Sequence, residues 1–174
     1  FASVQHLLAA QQIDAASVAT PTSLHYLVTK QLLTADVHVL VEKPVATDVA
    51  QALELASISR SRELVLQVGH ITRFYQSVEM LKHEVTDPYL LEARRLVPSA
   101  RVKDVDVVLD LMIHDLDLVL SIVRSPIRRI DAMGLSLLGG HEDVANARLE
   151  FQSGCVAVLS ACRVSHAPER RMSL

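Results

Sequence analysis

Apolar and polar positions follow two different rhythms along this chain. From residue 4 to residue 68, short apolar runs alternate with stretches of helical spacing. Residues 4–10 predict the end of an amphipathic helix, 13–19 a buried strand, 23–33 a helix, 37–41 a strand, 48–60 a helix and 64–68 a strand. Thr20-Pro21-Thr22 breaks the chain after the first strand, and Pro at a first turn suits a helix start. Glu42-Lys43-Pro44 closes the second strand, and Thr47 is the expected N-cap of the helix that follows. After Gly69 the rhythm changes. Residues 70–84 contain a helix, 89–96 read as a strand and 104–123 as a helix, and 128–138, 144–151 and 155–163 are strand-like. Turn signals at Gly139-Gly140 and Gln152-Ser153-Gly154 separate those strands, and the chain stops at Leu174 after a strand-like start.

Strands that alternate with helices make βαβ units and a parallel sheet, whereas consecutive strands with short turns make an antiparallel or mixed one. The expected class is therefore α/β: a parallel sheet in residues 1–68, then an α+β region with an open, largely antiparallel sheet in 69–174. Ligands of open parallel sheets bind beyond the carboxyl ends of the strands. Thr20-Pro21 and Glu42-Lys43 sit at two such ends, which makes them site candidates by position alone.

Composition narrows the function classes. Half of the 174 residues are hydrophobic and the mean hydropathy is +0.28, yet no apolar run is long enough to span a bilayer, so the excess belongs to a core. A net charge of −3, without a Lys/Arg stripe, argues against nucleic acid. Cys155 and Cys162 have no Cys/His partners at metal-ligand spacing, so no metal and no disulfide framework is expected, and the setting reads as cytoplasmic. The chain opens at Phe1 inside a helical pattern, and both ends read as cuts through a larger protein.

The stretch 104–123 carries the densest chemistry. It is apolar almost all round, yet holds Asp106, Asp110, His114 and Asp117, which share one face by helical spacing. Asp110 and His114 are the natural pair, since a carboxylate four residues before an imidazole can hold its tautomer. Taken alone, the set reads as capping and hydrogen bonding on a core helix, and only the rest of the chain changes that. Lys43, a surface lysine on the same terms, is confined by Pro44, and burial can lower an ammonium toward acid/base use. Arg73, after Gly69-His70 at the change of rhythm, suits an anionic phosphate group, or is an exposed helix-start arginine. No G-x-G-x-x-G occurs, so a dinucleotide's pyrophosphate loop is not in this chain.

Four segments, IDAASVATPTSLH, VHVLVEKPVA, LQVGHITRF and DVVLDLMIHDLD, resemble in order and spacing the Gfo/Idh/MocA family of NAD(P)-dependent oxidoreductases. The resemblance implies the C-terminal half of a Rossmann doubly wound sheet, with the first three strands and the Gly-rich loop preceding Phe1, and then a substrate and oligomerisation domain whose open sheet commonly joins subunits. It implies NAD or NADP as cofactor and hydride transfer at a hydroxyl carbon of a sugar, sugar nucleotide or cyclitol. On the matching motifs, Lys43, Asp110 and His114 become catalytic candidates, and Thr20, Pro21, His25, Glu42, Lys43 and Arg73 cofactor-binding candidates. Where the family often continues with Asn-Pro after that arginine and its aromatic, this chain has Tyr75-Gln76. The segment 92–123 is similar to a narrower group, UDP-N-acetylglucosamine 3-dehydrogenase-like enzymes of bacterial amino-sugar lipid A synthesis. Two alternatives stand beside that reading: a non-catalytic nucleotide-binding sensor of the same fold, and a truncated chain without activity.

Overall fold

The computed structural model describes residues 1–98 and 104–174. Residues 99–103, inside the segment that carries the narrower resemblance, lie outside the described residues. The chain forms two compact units, Phe1–Gly69 and His70–Leu174.

The first unit runs α1 (Val4–Ala10), β1 (Ala15–Val18), α2 (Thr22–Thr34), β2 (His38–Val41), α3 (Val49–Ser61) and β3 (Leu66–Val68). The strands pair in parallel in the order β1-β2-β3, with Val18 opposite Val41 and Val41 opposite Val68. Alternation sends Val18, Val39 and Val41 into a core with Leu32, Leu33, Val37 and Leu55. The N-cap of α3 is Asp48, one residue later than expected, and its carboxylate accepts from the Ala50 and Gln51 amides. α2 and α3 end alike. Asp36 (φ 61°) and Glu63 (φ 55°) take the left-handed conformation just past each C-cap. The next amides, of Val37 and Leu64, donate back to Leu32 and Ser59.

The second unit opens with a 3-10 turn (Ile71–Phe74) and α4 (Gln76–Glu84), then β4 (Leu90–Leu96). The stretch expected as one helix over 104–123 is a π-helical turn (Val108–Met112) running into α5 (Ile113–Ile122). Strands β5 (Ile127–Leu135), β6 (Val144–Phe151) and β7 (Val156–Cys162) follow, and the strand-like end of the chain is β8 (Glu169–Ser173). The sheet order is β5-β6-β7-β4-β8, antiparallel except where β4 runs parallel to β7. One face packs Leu91, Ala93, Leu149, Phe151, Ala157 and Leu159 with Val107, Met112, Val119 and Ile122 from the helical stretch. The fold class is thus α/β with a parallel sheet and a second, mostly antiparallel one.

Candidate active site

In the first unit the ladder carries past the strands into the loops. The Glu42 amide donates to the Val18 carbonyl at 2.9 Å and the Gly69 amide to Val41 at 2.8 Å, so all three carboxyl ends are held level. His25 fastens two of these loops. It is 2% exposed on α2; Nδ1 lies 2.7 Å from the Pro44 carbonyl oxygen and Nε2 2.9 Å from that of Thr20. Carbonyl oxygens only accept, so a ring N–H is the donor, and the imidazole lies between the two loops. The Lys43–Pro44 peptide is cis. Lys43 is partly buried, Glu42 and Pro21 are exposed, and Pro44 is buried. Gly69 leaves room for Glu42: a Cβ there would stand 3.1 Å from the Glu42 Oε2. The Thr20 hydroxyl is buried with no hydrogen-bond partner among the described residues. A buried hydroxyl with nothing to bond to is costly. It stands at the tip of a parallel strand, the end of such sheets where ligands bind.

In the second unit the four residues of the expected polar stripe divide by role. Asp106 is a cap, accepting from the Val108 and Leu109 amides at 2.8 and 2.9 Å. Asp110 is buried within the π-helical turn, and His114, partly buried, stands in the first turn of α5. Asp117 receives a two-pronged grip from Arg73: Nε donates to Oδ2 at 2.6 Å, and an NH2 group donates to Oδ1. Those bonds hold the guanidinium's proton more tightly than usual. Nδ1 of His70 lies 3.9 Å from the same carboxylate. The fork that the sequence offered to a phosphate is thus occupied by a side chain of the protein itself.

Two further ion pairs were not legible as site features. Arg95 and Asp115 are 4% and 5% exposed and meet through two bonds, of 3.0 and 2.6 Å. The available signal was alternation, because Leu91, Ala93 and Arg95 point the same way on β4 and a buried guanidinium requires a carboxylate. Asp143, 1% exposed, accepts from the Leu138 and Leu137 amides and from Arg163, which also donates to the Val105 carbonyl. The two backbone amides and the Arg163 guanidinium hold the Asp143 carboxyl down at about 2. No cluster of three His, Cys, Asp or Glu able to hold a metal occurs among the described residues. Nor is any helix among them long and apolar enough to cross a membrane.

Two family models match the chain, one in each unit. Residues 1–70 match the model of an oxidoreductase family with an NAD-binding Rossmann fold, and residues 79–174 match the GFO/IDH/MocA C-terminal domain. The chain belongs to the Gfo/Idh/MocA oxidoreductase family. This family member is 40% identical to the UDP-N-acetylglucosamine 3-dehydrogenase of Acidithiobacillus ferrooxidans over 100% of its own length and 56% of that protein's. The crystal structure of the same enzyme superposes with a TM-score of 0.90 at 41% identity, covering 99% of this chain and 57% of that one. Similarity to the myo-inositol 2-dehydrogenase of Thermotoga maritima is 25% identity over 87% of this chain and 50% of the relative. An inositol dehydrogenase homologue of Azotobacter vinelandii, solved with NADH and myo-inositol, shares the fold at TM-score 0.86 and 22% identity, over 96% of this chain and 49% of its own. The chain thus spans about half the length of these relatives.

Proposed function

We propose that the whole protein is a dehydrogenase that passes a hydride between NAD(H) and a hydroxyl-bearing carbon of a sugar nucleotide, the substrate being UDP-N-acetylglucosamine and the position its C3. The observation that carries this reading is the 40% identity, end to end, with a relative of that name. It is supported by the presence of Lys43, Asp110 and His114 on the family's motifs. Thr20, Pro21, Glu42 and Lys43 are the residues that would line the cofactor, with His25 setting their loops through the Thr20 and Pro44 carbonyls. When bound, the nicotinamide supplies hydride chemistry. The rest falls to this chain. We assign His114, with Asp110 four residues before it, the part of proton acceptor, and the Lys43 ammonium the part of stabilising developing negative charge.

The reading extends to assembly and setting. The uncovered face of the second sheet mixes Val158 and Ser160 with Glu92, Arg94, Asn146 and Arg148, and we assign it to contact between copies of the protein. Both cysteines are free thiols, in keeping with a reducing cytoplasm.

The test is nicotinamide reduction at 340 nm with a panel of UDP-sugars in the whole protein. UDP-N-acetylglucosamine should be oxidised, and Lys43→Ala and His114→Ala should each lower kcat by about 10²–10⁴-fold while changing NAD affinity little. Near-normal turnover in both variants would remove the proposed roles. The 174-residue chain alone, lacking a Gly-rich pyrophosphate loop, should bind NAD weakly; micromolar binding by calorimetry would contradict that expectation.

A further inference from the structure

His114 has acidic side chains on both sides of it along the helical stretch, Asp110 four residues before and Asp117 three after. Asp117 is the second, one turn along α5, and its side chain is 7% exposed. A buried carboxylate without a counterion favours the protonated form of any imidazole within a few ångströms. Two imidazoles are placed to respond: His70, 3.9 Å from Oδ1, and His114, one helical turn away. Arg73 intervenes from the 3-10 turn. Its side chain is 46% exposed and lies over the carboxylate with both prongs bonded, so the carboxylate faces a guanidinium rather than water. The pair also ties the turn to the helix that carries His114.

Among the other charged or titratable groups of α5 and the elements packed against it, Arg94 of β4 pairs with Glu169, and Glu92 of β4 and His83 and Glu84 of α4 are exposed. Asp115 is bonded to Arg95 of β4, and Glu79 and Lys82 of α4 are bonded to each other at 2.9 Å. β7 brings only Cys162 and the π-helical turn brings Asp110. Among the described residues, Arg73 is therefore the cation placed to cancel the charge of Asp117.

We infer that Arg73 and Asp117 form a positioning pair that fixes α5 against the 3-10 turn and shields His70 and His114 from the Asp117 charge, instead of presenting Arg73 to an anionic ligand. The inference rests on reading His114 as the proton acceptor, but its first test needs no turnover. Histidine-selective ¹⁵N NMR on the 174-residue chain gives the titration midpoint of each ring, with His70→Gln and His114→Gln assigning the two signals. In Arg73→Gln the uncompensated carboxylate should raise the His70 midpoint by about 1 pH unit and move His114 in the same direction. Asp117→Asn leaves the guanidinium alone beside His70 and should lower its midpoint. The double variant Arg73→Gln/Asp117→Asn removes both charges at nearly constant shape, so it should fold and return both midpoints to about the starting values. Arg73→Lys should stay close to wild type in charge. Midpoints that stay put in both single variants overturn the inference.

Kinetics of the whole protein supply the second arm. The acid limb of kcat should follow the His114 midpoint in Arg73→Gln, with KM for NAD changed less than about threefold. A KM rise above about tenfold with an unmoved limb would make Arg73 a ligand contact and overturn the inference. Normal turnover in His114→Gln would sink the proposed function while leaving the NMR result standing.

Discussion

The two units are fastened by different means. In Phe1–Gly69, one imidazole spans two backbone carbonyls, and nothing in the arrangement depends on a carboxylate. In His70–Leu174, three arginines each grip a buried aspartate: Arg73 with Asp117, Arg95 with Asp115 and Arg163 with Asp143. The first arrangement fixes where the backbone runs at the strand tips. The second ties α5 to β4 and to the 3-10 turn, and the start of β6 to the end of β7, and it places formal charges in and beside the core. Burying a charge pair is costly, and losing half of one is costlier still. The second unit should therefore be the more sensitive to single neutral substitutions.

The sharpest break is Asp115→Asn. Arg95 stays buried with its charge uncompensated, and urea unfolding should show a loss of about 3–5 kcal/mol. The apolar double replacement Arg95→Met/Asp115→Leu should recover most of that loss, which separates a missing charge from a missing shape. If the single variant is no less stable than the double, the ion pair is not what holds this core. In the first unit, His25→Ala removes a buried donor from between two carbonyls and opens a cavity, for an expected loss of about 2–4 kcal/mol. The comparison holds if Asp115→Asn is the more damaging of the two.

Much of this was legible in the chain. Period-two and helical patterning located every strand and helix of the first unit to within two residues, because each side chain there either enters the core or does not. The loops at the carboxyl ends of the strands followed from topology alone. The polar residues of 104–123 were harder. Helical spacing grouped Asp106, Asp110, His114 and Asp117 but omitted Asp115, whose partner is 20 residues away on another element. A carboxylate's role depends on what faces it, and cap, buried pair and site all look alike along one helix. The π-helical turn was invisible for a related reason: it changes the residues per turn without changing their identities. Arg73 was legible as a fork in need of an anion, but not as one already matched by Asp117, which lies 44 residues on.

Asp143 gives the comparison a pH axis. Its carboxyl is held at about 2, below the ordinary 3.8, by the Leu138 and Leu137 amides and by Arg163. A carboxyl lowered by folding contributes stability above its unfolded value and loses it as pH falls through the folded one. That stabilisation should therefore be complete above about pH 5 and fade between about pH 4 and pH 2. Thermal melts over that range should show an acid-induced decline that is shallower in Asp143→Asn, which starts lower and has less to lose. Parallel declines in the two proteins would show that Asp143 does not drive the acid limb of this unit.

The smallest effects concern turns, where the units again differ. The second unit puts glycines at left-handed positions, Gly139, Gly140 and Gly154, with φ between 84° and 93°. The first unit uses Asp36 and Glu63 at the helix ends, at φ 61° and 55°. Left-handed backbone costs an ordinary residue about 1 kcal/mol, and glycine avoids that at the expense of a more mobile unfolded chain. Glu63→Gly should accordingly raise stability by about 0.5 kcal/mol. Asp36→Gly should gain less, because an aspartate tolerates the conformation better and the exposed Arg62–Asp36 pair is lost. Gly154→Ala meets no atom within 4 Å, so its loss isolates backbone strain, expected near 1 kcal/mol. Opposite signs for Glu63→Gly and Gly154→Ala in chemical denaturation would tie both to the backbone. A loss in Glu63→Gly would mean that its side chain contributes more than the strain it carries.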